Sequence, residues 1–163
     1  MSQVYRGTGE IVEFPGTLAS NASAGAMVWL SGGTGQTLQP LTAAVATAVS
    51  EASTGFFGVL VADTSGGTTG VRVYRRGVFE FDTVAAATTC AVLVGRPVWG
   101  AGPQMVRGFG TTAASITGFH PVGICVALPA GADTSAASVK CWVEIDTMRR
   151  CDPLIGESGV AVQ

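Results

Sequence analysis

Thr54-Gly55-Phe56-Phe57-Gly58-Val59-Leu60-Val61-Ala62 and Thr117-Gly118-Phe119-His120-Pro121-Val122-Gly123-Ile124-Cys125-Val126-Ala127 are two versions of one phrase. Each runs from Thr-Gly-Phe into a glycine, continues through branched or small apolar residues to an alanine, and gives way to a loop rich in Ser, Thr and Gly. Branched and aromatic side chains suit a pleated, half-buried surface. The phrase is therefore a strand that the chain builds twice.

The repetition extends to both sides of this strand. Tyr5-Arg6 with Ile11-Val12-Glu13-Phe14-Pro15 answers to Tyr74-Arg75 with Val78-Phe79-Glu80-Phe81-Asp82. Gly25-Ala26-Met27-Val28-Trp29 answers to Gly95-Arg96-Pro97-Val98-Trp99, and Val71-Arg72-Val73-Tyr74 to Val139-Lys140-Cys141-Trp142. Every landmark has its partner between about 63 and 70 residues downstream. Self-similarity in constant order marks a duplicated unit. The spacing predicts one module over residues 1–75, a second over 76–148, and a C-terminal tail over 149–163.

Within each module the apolar residues alternate. Val71 and Val73 alternate with Arg72 and Tyr74, and Val139, Cys141, Val143 and Ile145 alternate with Lys140, Trp142, Glu144 and Asp146. A period of two means strands buried on one face. Ser65-Gly66-Gly67-Thr68 and Pro129-Ala130-Gly131-Ala132-Asp133 are turn-forming breaks between strands. The expected fold is all-β: two tandem small β-barrel or β-sandwich modules with little or no helix. Leu41 to Glu51 is alanine-rich but lacks a cap, and its threonines and valines are weak helix formers, so it is expected to be loop or a short helical turn. Its counterpart, Gln104 to Ser115, is expected to be loop. A module of this size buries too little surface to be robust alone, so the two copies are expected to pack together.

Composition narrows the function. Charged residues make up 12% of the chain, about half the usual share of roughly 25%. Net charge is −2, Lys140 is the single lysine, and the arginines fall singly or in pairs. Counterion release from a phosphate backbone needs clustered cations, so nucleic acid is not expected as a partner. Nor is a membrane, since the most apolar run, Leu41 to Val49, falls short of the roughly 20 residues a spanning helix requires. The opening MSQVYRGTGEIVEF lacks the basic and apolar regions of a secretory signal.

Residues able to bind a metal or act as nucleophile and base are few. Cys90, Cys125, Cys141 and Cys151 contain no CxxC pair, and His120 is the single histidine, so no metal site is expected. In the repeat, Cys125 aligns with Leu60 and Cys141 with Val73, which marks both thiols as core residues. Cys151, in the tail, has no such explanation. His120 stands at a strand entrance and is expected to be a turn residue. Glu80 with Asp82, and Glu144 with Asp146, occupy alternating positions expected to face solvent. Trp29 and Trp99 recur at equivalent sites, pointing to the module core or the seam between modules, whereas Trp142 is expected at an interface. No catalytic residue and no cofactor is expected.

The landmarks Gly77-Val78-Phe79-Glu80-Phe81-Asp82, Gly95-Arg96-Pro97-Val98-Trp99, Val122-Gly123-Ile124-Cys125-Val126-Ala127 and Val139-Lys140-Cys141-Trp142-Val143 resemble those of the small capsid decoration, or cement, proteins of tailed phages. The resemblance covers residues 77–145, and the first module repeats it more loosely. It implies a non-enzymatic structural protein, made in the host cytoplasm, that binds the outer capsid surface and braces it. The implied partners are the major capsid protein and further copies of the chain, commonly as a trimer. The chain departs from the single-module pattern by carrying two. Residues expected to touch the lattice or a neighbouring subunit are Tyr5, Arg6, Trp142, Arg149 and Arg150. Two other classes compete: a receptor- or glycan-binding module on a virion fibre or cell surface, and a small β-barrel enzyme using Cys151 or His120.

Overall fold

The computed structural model describes residues 9–30, 37–42, 56–84, 92–108, 121–130 and 139–147. They contain ten strands and no helix, so the fold is all-β. The first barrel is built from β1 (Ile11–Leu18), β2 (Met27–Leu30), β3 (Thr37–Pro40), β4 (Phe56–Leu60) and β5 (Thr69–Tyr74). The second is built from β6 (Arg76–Thr83), β7 (Pro97–Gly102), β8 (Met105–Arg107), β9 (Gly123–Ala127) and β10 (Lys140–Asp146).

Both barrels close in the same order. In the first, neighbours run β1-β3-β2-β4-β5; in the second the corresponding path is β6-β8-β7-β9-β10, with β10 returning to β6. The single parallel pairing, β1 with β3, recurs as β6 with β8. Phe14 opposite Val71 in one barrel becomes Phe81 opposite Cys141 in the other. Met27 opposite Val59 becomes Pro97 opposite Ile124. Such small barrels are filled by their own inward side chains, and the first holds Phe14, Leu18, Val28, Leu38, Leu60, Val71 and Val73.

Two glycine pairs show why the duplicated landmarks recur. Gly25 and Gly95 sit at the turns before β2 and β7 with φ of 81° and 80°, a region closed to most side chains. Their amides donate to the carbonyls of Leu60 and Cys125 at 2.8 and 2.7 Å. Gly58 and Gly123 lie where backbones nearly touch: a Cβ there would run into the Tyr74 carbonyl and Val73 in one barrel, and the Glu144 carbonyl and Val143 in the other.

The junction between the barrels is a single residue, Arg75. Its N–H donates to Glu10 at 2.8 Å while its carbonyl accepts from the Thr147 N–H at 2.9 Å, so one residue helps close both barrels. Its Nε donates to Thr147 Oγ1 at 2.6 Å, and its guanidinium lies 4.0 Å from the centre of the Phe57 ring, a cation–π distance.

The barrels share a core, as their small size requires. Met27, Trp29, Leu41, Phe56 and Val59 turn away from the first barrel's interior and join Phe79, Phe81, Val98, Val106, Val143 and Ile145 of the second. Trp29 meets Phe56 edge-on, with ring centres 5.5 Å apart. The Met27 N–H donates to the Pro103 carbonyl at 2.7 Å, and Gln104 Nε2 donates to the Ala24 carbonyl at 2.8 Å. At Gly100 the absence of a side chain leaves room for Leu41.

Three expectations need correction. Met105–Arg107 is strand β8, although Gln104 to Ser115 was expected to be loop; three residues are too few for a periodic signal, and the strand is held by partners distant in sequence. The structural partner of Cys141 is Val71, and that of Val73 is Val143, a slip of two residues from the sequence alignment. A slip of two preserves the buried face, so Cys141 is still a core residue. Glu80 and Asp82 do not form a solvated face: Asp82 is buried and both carboxylates engage Lys140. The expectations for most of Leu41 to Glu51 and for the tail lie outside the described residues.

Candidate interaction surfaces

Register builds a charged cluster on the second barrel. Phe79, Phe81, Cys141 and Val143 are buried, so alternation turns Glu80, Asp82, Lys140 and Trp142 to the outer face of β6 and β10. Lys140 Nζ lies 2.7 Å from Asp82 Oδ1 and 3.8 Å from Glu80 Oε1. The ammonium balances charge that would otherwise be stranded at the buried Asp82. At the opposite end of the same strand pair, Arg76 and Asp146 form an ion pair at 3.2 Å. These contacts tie strands together. Among the described residues, no group of three or more His, Cys, Asp or Glu is gathered to hold a metal ion.

Cys125 and Cys141, on neighbouring strands β9 and β10, are fully buried free thiols. Their mutual hydrogen bond, burial and the nearby Asp82 and Glu80 carboxylates all push the Cys141 thiol well above its ordinary range. A thiol held protonated in an apolar interior is a poor nucleophile. The Cys125 thiol donates towards the Ala127 carbonyl at 3.5 Å.

Of the residues expected to make contacts, Trp142 is the one described. It stands half-buried on β10, opposite Glu80 on β6 and Ala127 on β9. Tyr5, Arg6, Arg149 and Arg150 lie outside the described residues, as do His120, Cys90 and Cys151. Trp29 and Trp99 are 6% and 9% exposed, so neither offers an open stacking platform for a sugar. Trp29 belongs to the seam between the barrels.

Sequence reasoning missed a surface that the fold assembles at one edge of the second barrel. Leu93 and Val94 in the turn before β7 are 56% and 57% exposed, and Ile124 and Val126 on β9 are 48% and 39% exposed. Backbone bonds hold the two segments together: the Gly95 N–H donates to the Cys125 carbonyl at 2.7 Å, and the Cys125 N–H donates to the Arg96 carbonyl at 3.0 Å. Cys125 points inward, which leaves Ile124 and Val126 on the outside beside exposed Pro97. Arg96 and Glu144, both exposed, stand at its margin. The signal in the sequence was the replacement of Ser23-Ala24 by Leu93-Val94 between the copies.

No family model matches the chain, and no curated protein matches it.

Proposed function

We propose that this chain is a structural virion protein that binds the outer surface of a tailed-phage capsid and stabilises it, without catalysing a reaction. The observation that carries the proposal is where the resemblance falls. Gly77–Asp82, Gly95–Trp99, Val122–Ala127 and Val139–Val143 supply β6, the turn into β7, β9 and β10 of one closed barrel. The first barrel repeats that frame down to the glycines at 25 and 58. The resembling residues are therefore the skeleton of a module present twice, rather than scattered coincidences.

A pair of barrels with a shared core and few charges suits attachment through many modest contacts spread over a protein lattice. The partner in this reading is the major capsid protein, and the chain acts as a homo-oligomer, a trimer being what the resemblance implies. Tyr5, Arg6, Arg149 and Arg150 are the proposed lattice contacts, with Trp142 as a contact on the barrel wall. Chain ends can extend a neighbour's open sheet edge.

Sedimentation of the purified protein with expanded and unexpanded capsids of the virus that encodes it tests the proposal. Co-sedimentation with expanded capsids, weakened when the four terminal residues are replaced by alanine, is the expected result. Protein that remains in the supernatant with both capsid forms would overturn it.

A further inference from the structure

The seam between the barrels shows what the outer face of β2 and β4 is for. Met27 and Val59, paired across those strands, are fully buried against the second barrel, and the turn at Ala24 accepts the Gln104 side-chain bond. Pro97 and Ile124 are the same pair in the second barrel, and Leu93-Val94 takes the place of Ser23-Ala24. There the face is open. Four of the five large hydrophobics exposed among the described residues, Leu93, Val94, Ile124 and Val126, gather on it.

Scattered exposed apolar residues need no explanation, but a contiguous group marks an interaction site. The duplication says what kind of partner fits: in the first barrel, this face rests on a module of the same fold. We infer that the β7–β9 face of the second barrel binds a second copy of this chain, continuing between molecules the contact that β2 and β4 make within one. The larger Leu93-Val94 turn adds apolar area where the internal seam uses Ser23-Ala24. Repetition of a contact from one module to the next is heterologous, so it generates a ring if the rotation closes and a filament if it does not. The inference rests on the duplicated fold and stands whether or not the chain binds a capsid.

The test is sedimentation equilibrium of the intact chain, without capsids, across a concentration series. Wild type is expected to associate, and I124E and V126E each to weaken association by about tenfold or more, since burying a charge in an apolar contact is costly. I11E changes an exposed isoleucine on β1 outside this face and is expected to leave association intact. Circular dichroism of each variant separates lost association from lost folding. A wild-type chain that stays monomeric throughout, or folded I124E and V126E variants that associate like wild type, would overturn the inference. So would association appearing only after residues 148–163 are deleted, because the chain's own tail would then be the occupant.

Discussion

Val59 and Ile124 hold the same place in two barrels of one topology, each opposite the outward residue of the preceding paired strand, yet Val59 is fully buried and Ile124 is 48% exposed. The difference arises because only the first barrel turns this face towards the other barrel. A duplicated module thus carries the same surface twice and covers it once.

The shared core makes the two barrels stand or fall together. Leu41 is buried at the seam, against Gly100 of the other barrel. Leu41→Ala should lower stability by about 2–5 kcal/mol, as removal of a buried leucine side chain does. Urea denaturation should show one transition shifted as a unit. Two separated transitions in the wild type would show that the barrels are not coupled.

Gly58→Ala and Gly123→Ala should be destabilising to a similar degree, on the order of 1–3 kcal/mol each, because the added Cβ meets a backbone carbonyl in both barrels. Gly67, where a Cβ would meet nothing within 4 Å but φ is 80°, should cost about 1 kcal/mol from backbone strain alone. Thermal melts of the three variants would rank them, and Gly67→Ala as the most damaging would contradict the packing argument.

Lys140→Met removes the cation from beside Asp82 and should cost about 1–3 kcal/mol, with Asp82→Asn in the same chain restoring part of it. The measurement is a double-mutant cycle by chemical denaturation. Purely additive effects would mean that the 2.7 Å contact contributes no coupling.

Cys125 and Cys141 should resist alkylation in the folded chain and react once it is unfolded, read by mass spectrometry in a Cys90→Ser, Cys151→Ser background. The hydrogen bond between the thiols raises Cys141 and lowers Cys125, so the two shifts oppose each other in the pair's response to pH. Cys141→Val, which installs the residue found at position 71, should be tolerated in the folded chain and leave Cys125 buried. Rapid labelling of Cys125 in the folded wild type or in that variant would contradict the assignment of both thiols to the core.

Much of this architecture was legible in the chain because alternation and duplication reinforce one another. Phe14 with Phe81, Val28 with Val98, and Leu60 with Cys125 align in sequence and coincide in the fold. The strands that escaped are those with the weakest local signal. Thr37–Pro40 ends on a proline, Met105–Arg107 is three residues long, and both are fixed by a parallel pairing with the first strand of their own barrel. Asp82 misled for a related reason: alternation places it on the outer face, but only the register with Lys140 shows that it is covered and paired. Of the expected contact residues, Trp142 could be located, half-buried on the outer face of β10. The apolar face of β7 and β9 could not be recognised from composition, since Ile124 and Val126 resemble core residues until the fold shows nothing described above them.

Cryo-electron microscopy of the intact virion that encodes this chain tests the central claim most directly. The account predicts external density, repeated over the capsid lattice, into which a pair of five-stranded barrels joined at Arg75 fits. A map of the complete particle with no such density outside the shell, from virions that contain the chain by mass spectrometry, would contradict it.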